Sequence, residues 1–273
     1  MDLKIRPLDN QKDNNINTTI KTPFSMYLNA SKGGGKSTLI LNLLLNENFL
    51  RKKFNRILWI SPTSKFDEKI QKHTNNQDIL VENVLLKKLI KKLKSKDILN
   101  TPEFDRSIPE TFESDNIEFY DKFNVEIIKD VISYNSKINE EFGKKFGDNI
   151  LIIIDDAIES KIFKSEIFKN LLFKSRHYKI SMIITSQSYF LLPKNLRLNM
   201  SYVVLFETGS KKEIEQIYEE HNMGLKPRGF YKMCSDLFDI PYNFLVINYF
   251  NPKAKRFQNQ FLNFIDVSLY KNI

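Results

Sequence analysis

Apolar residues in this chain gather into two kinds of run. Short, nearly continuous ones stand at residues 24–28, 56–61, 150–154, 180–186, 201–206 and 243–249, rich in Ile, Val, Leu and Phe. Runs this short and this apolar predict strands buried on both faces. Longer stretches at 125–142, 160–175 and 213–221 carry apolar positions at helical spacing and predict helices, and the strongly apolar run at 39–45, directly after a glycine cluster, predicts another. Strand alternating with helix is the pattern of an α/β fold with a mostly parallel central sheet and helices on both of its faces. The strands at 243–249 and 256–258 follow one another closely, which predicts an antiparallel extension of that sheet.

Polar stretches mark the remainder. Residues 1–22 read as an N-terminal arm or cover rather than core, and residues 23–273 as a single domain. Residues 97–121 are acidic, contain Pro102 and Pro109, and read as an irregular insertion. Residues 192–199 read as an ordered loop. Residues 85–96 form an amphipathic helical pattern with a lysine-rich face, where Lys87, Lys88, Lys91 and Lys92 are candidates for phosphate contacts; a merely solvated face reads equally well.

The chemistry sits at the carboxyl ends of the predicted strands. After the first comes Ala30-Ser31-Lys32-Gly33-Gly34-Gly35-Lys36-Ser37-Thr38, which holds three of the chain's 8 glycines and opens directly into an apolar helix. Strand, glycine loop, Lys-Ser and helix make a P-loop, in which backbone N–H groups surround phosphate oxygens. Ala30 stands where the usual pattern has its first glycine. Lys36 is expected to reach the β- and γ-phosphates of ATP, and Ser37 to hold Mg²⁺. Lys32 lies too close to Lys36 for the signature lysine of ParA-type ATPases and reads as an exposed loop residue.

The strand at 150–154 ends in Asp155-Asp156, a Walker B pattern. Asp155 is expected to support Mg²⁺, and Asp156 to orient and deprotonate the attacking water. Gln187 ends the strand at 180–186, where its amide could hydrogen-bond the γ-phosphate or the water. No arginine occurs from Ala30 to Leu50, so an arginine finger has to come from elsewhere; Arg176 and Arg197 are the candidates, supplied to a neighbouring subunit. Trp59 reads as core, and His177 has no partner at metal-ligand spacing.

Composition narrows the setting. The chain has 273 residues, 41% of them hydrophobic, which excludes a disordered chain. A net charge of +9 favours a polyanionic partner, nucleic acid before membrane. Cys234 is the only cysteine, so no internal disulfide can form and a reducing compartment is expected. No signal peptide opens the sequence, and no apolar run approaches the ~18 residues of a membrane span.

Several of these motifs occur together with Trp59-Ile60-Ser61-Pro62-Thr63, Ser175-Arg176-His177-Tyr178, Thr185-Ser186-Gln187-Ser188-Tyr189, Leu192-Pro193 and Leu196-Arg197-Leu198-Asn199. Over residues 22–210 the series resembles the poxvirus-type DNA-packaging ATPases of large DNA viruses, virophages and related elements, within the FtsK–HerA superfamily. Where relatives often carry Asp-Glu, this chain has Asp155-Asp156. The resemblance implies a RecA-like sheet, a homo-oligomeric ring, double-stranded DNA as transported substrate, capsid vertex proteins as partners, and a place in the virion or host-cell cytoplasm. Two other readings of the P-loop are a nucleotide or small-molecule kinase and a slow nucleotide-dependent DNA-binding switch.

Overall fold

The computed structural model describes residues 20–46, 48–62, 70, 117–143, 147–156 and 160–273. The lysine-rich stretch at 85–96 and most of the acidic insertion lie outside these residues. Among the described residues nine strands form one sheet: β1 (Ser25–Asn29), β2 (Arg56–Ile60), β3 (Ile117–Tyr120), β4 (Ile150–Ile154), β5 (Ile180–Ser186), β6 (Tyr202–Phe206), β7 (Phe244–Asn248), β8 (Phe257–Asn259) and β9 (Asn263–Phe264). Their order is β3-β2-β4-β5-β1-β6-β7-β8-β9. Strands β3 to β6 of that order run parallel, and β7, β8 and β9 continue antiparallel. This is the expected α/β, RecA-like P-loop sheet with its antiparallel extension.

Successive residues of a strand point to opposite faces, so a strand covered on both sides must be apolar throughout. In β4, Ile150, Ile152 and Ile154 enter one core while Leu151 and Ile153 enter the other. The second core is roofed by α1 (Lys36–Leu45) through Leu39, Ile40, Leu43 and Leu44. The first is covered by α2 (Val125–Phe142), α3 (Ser160–Lys164), α4 (Glu166–Lys174), α6 (Lys211–His221) and α7 (Pro227–Phe238). Trp59 is fully buried in the α1-side core.

Four expectations need correction. The helix anticipated over 160–175 is broken at Ser165, whose Oγ donates to the Ile162 carbonyl (2.6 Å) and accepts from Phe168 N–H (3.3 Å), capping α4 afresh. The end of the acidic insertion is edge strand β3, held to β2 by the Arg56–Glu118 ion pair (2.5 Å). Within the loop at 192–199 sits a short helix, α5 (Lys194–Arg197). Ile20, in the stretch read as arm or cover, is buried in the α1-side core.

Candidate active site

Three adjacent parallel strands, β4-β5-β1, end on the same edge of the sheet, and parallel sheets present their binding crevice at that edge. The residues that leave those ends are Asp155 and Asp156, Gln187, and the P-loop. Sequence separations of more than a hundred residues therefore close to hydrogen-bonding distance.

The P-loop turns through Gly33 (φ 76°) and Gly35 (φ 101°), a left-handed region open to glycine and strained for other residues. Gly34 is closely packed: a Cβ there would stand 3.1 Å from the Ser31 carbonyl oxygen, so the loop would have to give to admit one. Gly35 caps α1 without a side-chain hydrogen bond, and no acidic residue occupies the first turn. The amides of Lys36, Ser37 and Thr38 have no intrahelical acceptor, so this helix end offers N–H groups and positive dipole to an anion. Ser31, Lys32 and Gly33 are exposed along the loop's outer side, and Ala30 is buried, its N–H donating to the Ser186 carbonyl (3.1 Å).

Lys36 is buried, with Nζ donating to the carbonyls of Ala30 (2.9 Å) and Ser31 (3.3 Å) and lying 3.4 Å from Asp156 Oδ2. Ser37 Oγ donates to Asp155 Oδ2 (3.2 Å), and Thr185 Oγ1 donates to Asp155 Oδ1 (2.6 Å). Burial pushes the Asp155 carboxyl above its ordinary range; the Thr185 hydrogen bond opposes this, and the neighbouring Asp156 charge adds to it. Asp156 is more open, its side chain 32% exposed, on a left-handed backbone (φ 49°) pinned by its N–H to Thr185 Oγ1 (3.1 Å). Gln187 Nε2 donates to Asp156 Oδ2 (3.1 Å). The structure thus brings together Lys36, Ser37, Asp155, Asp156 and Gln187. The oxygens of Ser37 and Asp155 are the hard donors that suit Mg²⁺.

Thr185 escaped the sequence reading. It looks like one more strand residue, and only the β4–β5 register, with Ile154 opposite Ile184, places its hydroxyl between the two aspartates. Glu213 was missed for a similar reason. Ser210 and Glu213 have capping-box spacing, yet the Glu213 carboxylate turns away to accept from Ser188 Oγ (2.7 Å), Tyr189 N–H (2.9 Å) and Thr208 Oγ1 (2.7 Å). It anchors the chain immediately after Gln187.

The two arginines part company. Arg176 is exposed before the start of β5, on the edge of the sheet opposite the P-loop, with Nη2 near Ser201 Oγ (3.4 Å) and the guanidinium 5.2 Å from the Phe250 ring centre. Arg197 is buried. Its fork binds Glu220 through Nε (3.0 Å) and Nη2 (2.5 Å), donates to the carbonyls of Tyr189 and Leu192, and stacks on the Tyr189 ring at 4.4 Å. The expectation of Arg197 as a finger is corrected: a guanidinium consumed inside its own subunit cannot reach a neighbour's phosphate.

The same buried cluster holds His221 between Tyr189 (Nε2 to hydroxyl, 2.7 Å) and Tyr249 (Nδ1 to hydroxyl, 2.5 Å). Burial pulls its pKa down to about 4, the Glu220 charge opposing and Arg197 adding to the shift. Between that value and the ordinary 6.5 the unfolded chain binds the proton and the folded one does not. Folding stability should therefore fall as pH drops from 6.5 toward 4, by about 3 kcal/mol from this group. Denaturant midpoints across that window should show a steep slope in the wild type and a flatter one in His221→Gln; equal slopes would refute the assignment.

A glycine loop on a helix start, two carboxylates and an amide at the ends of adjacent parallel strands define a P-loop nucleotide site on a RecA-like sheet. Residues 113–237 match the family model described as Poxvirus A32 protein. That span holds the acidic strand, Gln187 and both arginines but not the P-loop, and it bears out the poxvirus-type resemblance drawn from the motifs. Among solved structures, the chain is similar to B204, the DNA-packaging ATPase from Sulfolobus turreted icosahedral virus (16% identity, 84% of this chain and 94% of that chain, TM-score 0.51). It is also similar to the genome packaging NTPase B204 from Sulfolobus turreted icosahedral virus 2 in complex with ATP-gammaS (14% identity, 84% and 94%, TM-score 0.48). A third is the cytoplasmic domain of the Thermomonospora curvata type VII secretion ATPase EccC (13% identity, 84% and 24%, TM-score 0.47). At these identities the likeness to B204 is one of fold. No curated protein sequence matches the chain.

Proposed function

We propose that this protein is an ATP-driven translocase that packages viral double-stranded DNA into a preformed capsid. One observation carries the chemistry: Lys36, Ser37, Asp155, Asp156 and Gln187 converge within 3.4 Å contacts at the carboxyl ends of three adjacent strands. The Poxvirus A32 match and the fold shared with B204 support the packaging role and count against the kinase reading.

In this reading the P-loop amides cradle the phosphates, and Lys36 neutralises charge that builds on the γ-phosphoryl group. Ser37 and Asp155 would hold Mg²⁺, which when bound draws charge off the phosphate oxygens. Asp156 accepts the proton of the attacking water, and Gln187 orients that water while hydrogen-bonded to Asp156. Of the two candidates, Arg176 is the exposed one and stays available to a neighbouring copy in a homo-oligomeric ring. The natural setting is the virion or host-cell cytoplasm, with capsid vertex proteins as partners. No helix among the described residues is long and apolar enough to cross a membrane.

The test is ATP turnover with and without double-stranded DNA, together with the particle mass. Duplex DNA of any sequence should raise turnover, and the mass should be a multiple of 32.3 kDa. Phosphate-dominated binding releases counterions, so DNA affinity should fall about 10³-fold between 50 and 200 mM salt. Turnover indifferent to DNA, or DNA binding indifferent to salt, would rule out the translocase.

A further inference from the structure

The active-site carboxylates lie on one side of the P-loop strand, since β5 and β4 flank β1 there. On the other side come β6 and β7, and they present aromatic rings. The turn between α7 and β7 carries Tyr242 on a left-handed backbone (φ 63°), a conformation rare for a bulky side chain. Two hydrogen bonds fix that turn: Asn243 N–H to the Ile240 carbonyl (3.1 Å) and Asn243 Nδ2 to the Leu237 carbonyl (2.9 Å). The Tyr242 ring is thereby set beside the start of α1. A Cβ on Gly35 would lie 3.8 Å from Tyr242 Cδ1 and 3.7 Å from Phe206 Cε1. Phe206 is buried, its ring centre 5.1 Å from that of Phe244, while Tyr242 stays 64% exposed.

A nucleoside triphosphate with its γ end at Asp156 and Gln187 and its phosphates along the P-loop must send its nucleoside end the opposite way, toward β6 and β7. We infer that Tyr242, which flanks Gly35 together with Phe206, is the platform on which the base of the bound nucleotide stacks. The inference rests on the nucleotide-site reading above and adds to it the subsite for the base. Stacking uses a π-face that every base has, so this platform binds the base without selecting strongly among purines.

The experiment compares binding of ATP and of inorganic tripolyphosphate to full-length wild type, Tyr242→Ala and Tyr242→Phe. Alanine carries the same left-handed backbone burden without the ring, so the comparison isolates the ring. Tyr242→Ala should weaken ATP by roughly 10-fold or more and leave tripolyphosphate unchanged, and Tyr242→Phe should restore ATP. Unchanged ATP affinity in Tyr242→Ala overturns the inference. Equal losses for both ligands also overturn it, because the turn would then be serving the phosphate loop. A wild type that binds ATP no better than tripolyphosphate removes the base subsite and leaves the phosphate site standing. A wild type that binds neither removes the nucleotide-site reading, and this inference with it.

Discussion

Lys36→Ala is expected to lower ATP turnover by about 10³ while the protein stays folded. The ammonium is buried between the Ala30 and Ser31 carbonyls and the Asp156 carboxylate, so its position is set by the loop that surrounds the phosphates. A donor aimed where charge develops, in a site shielded from water, acts more strongly than the same donor in solvent. Removing it also leaves Asp156 without its nearest cation, which raises the cost of bringing a polyanion beside that carboxylate. Turnover of purified protein should be measured alongside its thermal midpoint. Near-wild-type turnover from a folded variant would remove Lys36 from the chemistry and the P-loop assignment with it.

Much of this site was legible because a P-loop is a local object. Strand, glycines, Lys-Ser and helix are contiguous in sequence, and each glycine acts through its own backbone. The acidic strand and Gln187 were legible for a related reason: an apolar run that stops abruptly at polar residues marks a strand's end, and parallel strands share the edge where they end. Register carries no such mark. Thr185 bridges the two aspartates because β5 pairs with β4 at one offset, and a one-residue slip would turn its hydroxyl to the other face. Arg197 was misread because an arginine beside a nucleotide site and one buried against a glutamate look alike until Glu220 is known to pack there. Helix α7 was passed over although Phe230, Met233, Cys234 and Leu237 follow helical spacing. Pro227 begins the helix, where its missing N–H costs nothing, and Gly229 lets the Tyr270 carbonyl approach to where a Cβ would be 2.0 Å away.

The second large effect separates the two aspartates. Asp156→Asn should leave nucleotide affinity within a few-fold of wild type and lower the single-turnover rate by about 10³, the scale of a lost general base. The asparagine can still accept from Gln187 and face Lys36, so the surroundings survive while the proton acceptor does not. Asp155→Asn should act earlier, weakening Mg²⁺-nucleotide binding. Its carboxylate is buried with one oxygen taken by Thr185 and the other facing Ser37, the geometry of a group that holds something in the ground state. It is 5% exposed, whereas the Asp156 side chain is 32% exposed and better placed to meet a water. Nucleotide affinity at saturating Mg²⁺ and single-turnover rate, measured for each variant, place the two losses. If Asp156→Asn loses affinity and Asp155→Asn loses only rate, the roles are the reverse of those proposed; if both lose both in equal measure, the pair acts as one unit and no division between them holds.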